Sequence, residues 1–361
     1  MLHLEHISLT QFRNYDKVSF GFPGRITAFC GPNGVGKTNI LDAIYYLCFT
    51  RSYSGRTDSS SVRIDSAGFR IDGRWNRDGQ HHSTVCILRE SGKKEFQVDN
   101  ESITRFSGHI GHYPAVMITP DDIELISGSS EERRRFIDTL LSQLYREYLE
   151  HLIRYGKLLT ERNSLLKRMS EGVMNDSGLL DVLDEQLINH GNAIFLFRKN
   201  FSAEFISGTS QYYQNISGGN EKISISYRSV LTEHSFEQVL KTNRSKDLAL
   251  QRTSSGVHRD DLEIFLGEFP FKMVASQGQR KSLLFALKLA EFETLKAMKG
   301  FSPLLLLDDI FEKLDEQRMM NLLHWVCEKN EGQVFLTDTH QERIRSIMNK
   351  FKIEYQLIIL E

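Results

Sequence analysis

The stretch RITAFCGPNGVGKTNILDAIYYL, from Arg25 to Leu47, sets an apolar run, a glycine-rich loop and a helical pattern in immediate succession. Ile26 to Cys30 reads as a buried strand, and Ile40 to Leu47 as an amphipathic helix. Between them, the spacing G-x-x-x-x-G-K-T puts Gly31 and Gly36 where a backbone has to curl around phosphates, with Asn33, Gly34 and Val35 exposing amide N–H groups. Lys37 would reach the β- and γ-phosphates of a nucleoside triphosphate, and the Thr38 hydroxyl would bind Mg2+. The helix opening near Thr38 points its partly positive N-terminus at the same anion. A strand before the loop and a helix after it separate this motif from a chance cluster of glycines.

The 361 residues suffice for two domains, or for one domain carrying a large insertion. No window approaches the roughly 18 consecutive apolar residues that span a bilayer, which argues against a membrane-embedded protein. The start, MLHLEHISLTQFRNY, lacks a basic region followed by an apolar core, so no secretory signal is expected and the cytoplasm is the default location. Cys30, Cys48, Cys86 and Cys327 are scattered among apolar neighbours with no C-x-x-C pair, and read as small, buried, reduced residues and not as zinc ligands. With a formal net charge of −2, any contact with nucleic acid has to come from a local basic patch.

Residues 1 to about 118 read mainly as short strands, including HLEHISL, KVSFGF, Phe69 to Trp75, Thr84 to Arg89 and Glu95 to Val98. From Glu131 to about Phe205 the period turns helical. Leu141, Tyr145, Tyr148, Leu152, Tyr155, Leu159, Arg162, Leu166 and Met169 form a heptad-like seam, and Leu180, Leu183, Leu187, His190, Ile194, Phe197 and Phe201 repeat it after the turn-rich break at 169–178. Two such helices joined by a short loop make an antiparallel arm, with His190 a packing residue of the seam. A strand over Lys222 to Arg228 and a helix over Ser235 to Leu250 follow.

PLLLLDDIF, from Pro303 to Phe311, is an apolar strand ending in two carboxylates, the form of a Walker B strand. Asp308 would hold Mg2+, directly or through water, and Asp309 would polarise the attacking water or sense the γ-phosphate. Thr38 and Asp308 are 270 residues apart, so the nucleotide-binding head is split by an insertion, and the arm is that insertion. About thirty residues before Asp308, Ser276, Gln277, Gly278 and Gln279 open a helix. This turn reads either as an ordinary capped start or as a second anion site. If two chains met head to tail, each turn would face the γ-phosphate held by the other, and ATP would act as glue.

Four segments together resemble the RecF family of ABC-type, SMC-like ATPases: LTQFRNYDKVSF, GPNGVGKTNILDAIYYL, ITPDDIELISGSSEERRRFIDTLLSQ and GVHRDDLEIFLGEFPFKMVASQGQRKSLLFALKLAE. The resemblance runs across nearly the whole chain. It implies an α/β fold, an ABC-type P-loop ATPase head of mixed sheet flanked by helices, with an inserted α-helical, coiled-coil-like arm. The head would comprise residues 1–118 and 256–361, and the arm with the signature-side subdomain 119–255. The family's activity implies an ATP-dependent homodimer that binds DNA, both single- and double-stranded at gaps, works with RecO and RecR to load RecA, and hydrolyses ATP weakly. Carried over, the resemblance places Arg13 and Asn14 close to the nucleotide. It wraps the phosphates with Gly31, Pro32, Asn33, Gly34, Val35, Gly36, Lys37, Thr38 and Asn39. It assigns Mg2+ to Thr38 and Asp308, hydrolysis to Asp309 with Lys37, and completion of the partner's site to Ser276, Gln277, Gly278 and Gln279. The chain departs from the family at Glu312 to Asp315, EKLD for the usual SELD, and at GSS (Gly128 to Ser130), GVH (Gly256 to His258) and RSYSG (Arg51 to Gly55). His340 of FLTDTH comes late for a switch histidine and carries no assigned role.

Arg133, Arg134 and Arg135 read either as phosphate ligands or, preferably, as partners of nearby acids, and HRDD (His258 to Asp261) reads preferably as an ion-pair network holding head to arm. Arg154, Lys157, Arg162, Lys167 and Arg168 are further candidates for sequence-independent binding. The alternative function, an ABC-type ATPase subunit energising a transporter or another large partner, would show membrane association and no stimulation of its ATPase by DNA.

Overall fold

The computed structural model describes residues 1–173, 176–219, 221–309 and 316–361. Residues 1–122 form β1 (Leu2–Phe12), β2 (Tyr15–Gly21), β3 (Ile26–Cys30), α1 (Lys37–Phe49), β4 (Phe69–Arg77), β5 (Gln80–Leu88), β6 (Lys94–Val98), β7 (Glu101–Ser102) and β8 (Ala115–Ile118). The middle of the chain forms α2 (Glu124–Ser127), α3 (Ser130–Leu144), α4 (Arg146–Ser170), α5 (Ser177–Ser217), β9 (Ile223–Arg228), α6 (Phe236–Leu250), β10 (Asp261–Leu266), β11 (Phe269–Pro270) and α7 (Phe271–Val274). The remainder forms α8 (Gln277–Lys299), β12 (Leu304–Leu307), α9 (Glu316–His324), β13 (Val334–Asp338), α10 (Gln341–Phe351) and β14 (Gln356–Ile359).

Contacts divide the chain into two units. The first is Met1–Asp122, Asn215–Gly219 and Gln277–Glu361, and the second is Ile123–Gln214 with Asn220–Ser276. In the first unit a five-stranded parallel sheet runs in the order β14-β3-β13-β12-β8, and a six-stranded antiparallel sheet in the order β2-β1-β4-β5-β6-β7. β3, β8, β12 and β13 are buried along their whole length, as strands covered on both faces must be, and their sequences are mainly apolar, broken by Thr27 in β3 and by Thr337 and Asp338 at the end of β13. The antiparallel strands alternate instead: β4 buries Phe69, Ile71, Gly73 and Trp75 in turn. One cluster joins the two sheets around α1, combining Leu4, Ile7 and Trp75 with Ile40, Ile44 and Leu47 and with Leu304, Leu306 and Phe335. Cys30, Cys48 and Cys86 are buried free thiols, and the side chain of Cys327 lies outside the described residues.

In the second unit α4 and α5 run antiparallel, since contacts descend one helix as they climb the other: Tyr148 with Phe197, His151 with His190, Arg162 with Asp184. The helical stretch from Glu131 is broken at Tyr145 (φ −127, ψ 110), so α3 and α4 are separate helices. His190 does pack on the seam, its Nδ1 2.8 Å from that of His151. α6 is capped by Ser235, whose hydroxyl accepts from the Gln238 N–H. β10 pairs with β9 and so groups with the helices, leaving the first unit to resume at Gln277.

One expectation about charged residues is corrected. Arg162, a candidate for DNA phosphate, is fully buried, with Nε 2.6 Å from Asp184 and Nη1 2.8 Å from both Asp247 and the Thr253 hydroxyl. HRDD forms an ion-pair network, as its sequence suggests, and its partners named here lie within the second unit. Asp261 takes both Nε and Nη2 of Arg133, Asp260 accepts from Arg198 and Tyr227, and His258 meets the Tyr155 hydroxyl. Among the described residues, no helix is long and apolar enough to cross a membrane.

Arg162→Met takes the ion pair from fully buried Asp247 and leaves Asp184 with Arg244, and removing one member of a buried ion cluster costs about 3–5 kcal/mol. Lys157→Met, on the exposed side of the same helix, should change stability by less than about 0.5 kcal/mol. Urea denaturation of the two variants separates a core arginine from a solvated one.

Candidate nucleotide-binding site

β3 and β12 do not touch. β13 runs between them, with Asp338 level with Cys30 on one side and Leu336 level with Leu307 on the other. Parallel strands in this register all end at one edge, so the loop that follows Cys30 and the carboxylates that follow Leu307 emerge side by side. α1 begins at Lys37, directly after Gly36. Gly36 has φ 112, and a Cβ there would stand 2.5 Å from Asn14 Nδ2 and 2.7 Å from the Tyr15 hydroxyl, so both dihedral and space demand glycine.

The Thr38 hydroxyl donates to the Asp308 carboxylate, 2.9 Å from each oxygen. Thr337, at the end of β13, donates to Asp308 Oδ1 at 2.8 Å and accepts from the Asp309 backbone N–H at 2.9 Å. Asp308 is 4% exposed, and burial raises its carboxyl above its ordinary value, while the two hydroxyls pull it back down. A buried carboxylate beside a hydroxyl oxygen is the hard donor set that suits Mg2+. The Lys37 ammonium folds back on its own loop, donating to the carbonyls of Gly31 at 2.8 Å and Pro32 at 3.0 Å. Those neutral acceptors are weaker than phosphate oxygens, so the residues present fit a bound triphosphate. Asp309 sits at φ 43, a left-handed conformation uncommon for a non-glycine residue and concentrated at functional sites.

Arg13 and Asn14 line the loop from the β1–β2 turn. Asn14 donates to the Val35 carbonyl at 2.8 Å and accepts from Asn39 at 2.8 Å. The Arg13 guanidinium pairs with Asp42 of α1 at 2.5 Å and with the Ser52 hydroxyl at 2.9 Å. Gln277, Gly278 and Gln279 form the first turn of α8, with Ser276 just before it, and Ser282 returns to the Gly278 carbonyl at 3.0 Å. Glu312 to Asp315 lie outside the described residues.

Three residues here carry no sequence-based expectation: Thr337, Asp338 and Asp42. The Asp338 carbonyl accepts from the Gly31 N–H at 3.4 Å, and its side chain accepts from the His340 N–H and from Arg343. The available signal was a second apolar run ending in an acid, VFLTD, thirty residues after LLLLD.

The sequence matches the family model described as RecF/RecN/SMC N terminal domain over residues 3–356. A Flavobacterium johnsoniae protein named DNA replication and repair protein RecF is 40% identical over 359 residues, covering 99% of this chain and 100% of its own length. Its namesake from Bacteroides thetaiotaomicron is 41% identical over 355 residues, covering 98% and 95% respectively. A solved structure of the recombination mediator protein RecF-ATP in the RecFOR pathway superposes with a TM-score of 0.87 at 30% identity, covering 94% of this chain and 92% of that one. An Smc head domain from Pyrococcus furiosus, with an extended coiled coil and bound to the C-terminal domain of ScpA, reaches 0.57 at 17% identity, covering 100% and 94%, and shares the fold.

Because the Asp308 carboxyl is raised in the folded chain, its ionisation at neutral pH opposes folding. The stability present below the ordinary carboxylate range is lost as pH rises through the folded value. Asp308→Asn keeps an acceptor for both hydroxyls and removes the buried charge. The nucleotide-free variant should therefore melt at a higher temperature than the wild type at pH 7, and the difference should vanish as pH falls below about 3.8, the ordinary Asp value. Thermal denaturation across pH, without nucleotide or Mg2+, measures this.

Proposed function

This chain belongs to the RecF family, and on that footing we propose that it is an ATP-binding protein of DNA replication and repair whose nucleotide controls self-association on DNA. The observation that carries this reading is the meeting of Thr38 with Asp308 beside the phosphate loop, two residues 270 apart. In the proposed division of labour, the first unit is the ATPase head and the second the arm with its signature-side subdomain.

Mg2+ bound with ATP would neutralise charge on the β- and γ-phosphates. Thr38 and Asp308 would hold it, Lys37 would exchange the Gly31 and Pro32 carbonyls for phosphate oxygens, and the loop N–H groups from Asn33 to Thr38 would bind the anion. Asp309 orients the attacking water. Its carboxylate is one methylene shorter than the Glu carried by SMC-like relatives, which fits weak hydrolysis that times release and does no mechanical work. Ser276, Gln277, Gly278 and Gln279 of each copy complete the site of the other, so ATP stabilises the dimer by the free energy of binding across it.

The proposed ligand of the dimer is DNA at junctions of single and double strands, with RecO and RecR as partners and RecA loading as the outcome. Arg154, Lys157, Lys167 and Arg168 are exposed and available for phosphate contacts.

The mass of the protein in solution with ATP and Mg2+, with and without gapped DNA, tests this reading. Wild type should dimerise with ATP, more so with DNA. Lys37→Met should lose ATP binding and dimerisation together, whereas Ser276→Arg should bind ATP as a monomer. A wild type that binds ATP and remains a monomer at every concentration would refute the composite site.

A further inference from the structure

A chain of buried polar contacts runs from behind the phosphate loop through the first unit. It starts at Asp42 of α1, which accepts from Arg13, from the Ser52 hydroxyl at 3.0 Å and from the Tyr53 backbone N–H at 2.8 Å. The Tyr53 ring lies edge-on to Tyr45 of α1, centroids 4.9 Å apart. Its hydroxyl donates to Asp122, four residues beyond β8, and accepts from Lys288 of α8 at 3.3 Å. Lys288 lies 3.5 Å from Glu291 Oε2, one turn along the same helix. Both side chains are buried, Lys288 at 6% and Glu291 at 3% exposure.

Tyr53 thus joins three elements: its backbone N–H and ring meet the helix behind the phosphate loop, and its hydroxyl meets the segment leaving β8 and the helix whose first turn is Gln277–Gln279. The cluster is also incompletely satisfied. Glu291 Oε2 is buried without a hydrogen bond, and burial pushes the Glu291 carboxyl up to about 7 against the pull of Lys288. Buried charges of this kind add little net stability, but each costs heavily when its partner moves, so they resist independent displacement of the elements that carry them.

We propose that Tyr53 is a positioning residue that couples occupancy of the phosphate loop to the placement of α8, and so sets how strongly ATP promotes association of two copies. This rests on the reading above that the Ser276–Gln279 turn acts on a second copy. Arg13 and Asp42 lie at the phosphate-loop end, Lys288 carries the α8 end, and the Tyr53 hydroxyl bonds to both Asp122 and Lys288.

Tyr53→Phe tests this directly, because it keeps the backbone N–H to Asp42 and the ring against Tyr45 while deleting the hydroxyl. ATP affinity, measured by titration at concentrations where the protein is monomeric, should stay within about twofold of wild type. ATP-dependent association, measured by sedimentation, should weaken about tenfold, the factor carried by one hydrogen bond to a charged group. Lys288→Met, nearly isosteric and apolar, should weaken association similarly, and the double variant should lose little more than either alone. Melting temperatures of all three confirm that folded proteins are being compared. Unchanged association in Tyr53→Phe, losses that simply add, or a loss of ATP affinity equal to the loss of association would each overturn the proposal. A wild type that binds ATP without associating would overturn the underlying reading and this inference with it. A wild type that associates alongside a variant that does so equally well overturns the inference alone.

Discussion

The contact between the Thr38 hydroxyl and the Asp308 carboxylate depends on a strand neither residue belongs to. β13 separates β3 from β12, and its register with both decides whether the two groups finish level. In a parallel sheet buried on both faces, a shift of one residue would exchange the two covered faces and carry Asp308 about 3.3 Å along the strand. Thr337 then adds a direct link, donating to the carboxylate and accepting from the Asp309 N–H with one hydroxyl. The sheet supplies coarse alignment, and β13 supplies the final hydrogen bonds that hold a buried charge in water-poor surroundings.

What the sequence disclosed was chemistry that is local. The phosphate loop and α1 are legible because glycine spacing, a preceding apolar run and a following helical period all lie within 23 residues, Arg25 to Leu47. LLLLDD is legible for the same reason. The RecF family membership rested on four longer segments and agrees with the fold found. Less legible were features whose partners are distant. Arg162 falls on the apolar seam of α4, but the acids that neutralise it there become visible only when Asp184, 22 residues on, and Asp247, 85 residues on, are found around it. The break at Tyr145 was hidden because apolar spacing continues through it, and β8, four residues buried on both faces, has no alternation to read.

The second unit adds a physical contrast. A coiled-coil seam is specified by apolar knobs, yet α4 and α5 are also pinned by two buried arginines. Arg162 binds Asp184 and Asp247, and Arg198 binds Asp138, Asp260 and the Tyr148 hydroxyl. Guanidinium groups offer donors in a fixed fork, so such nodes tolerate one relative placement of the helices they join and penalise neighbouring registers. Apolar burial holds these helices together, and the ionic nodes fix which turn faces which.

β14 has a temporal consequence. It pairs with β3 through Gln356 to Ile359, and the Leu360 N–H closes on the Cys30 carbonyl at 2.8 Å, one residue before the phosphate loop. The strand that launches the loop therefore emerges from the ribosome more than three hundred residues before either of its sheet neighbours, β13 and β14. Until then its largely apolar residues have no edge to pair with, while the intervening helical unit has the partners of β9, β10 and the Arg162 and Arg198 clusters within residues 123–276. Synthesis thus favours an arm that folds first and a nucleotide site that is assembled late, with a bare strand edge open to mispairing in between.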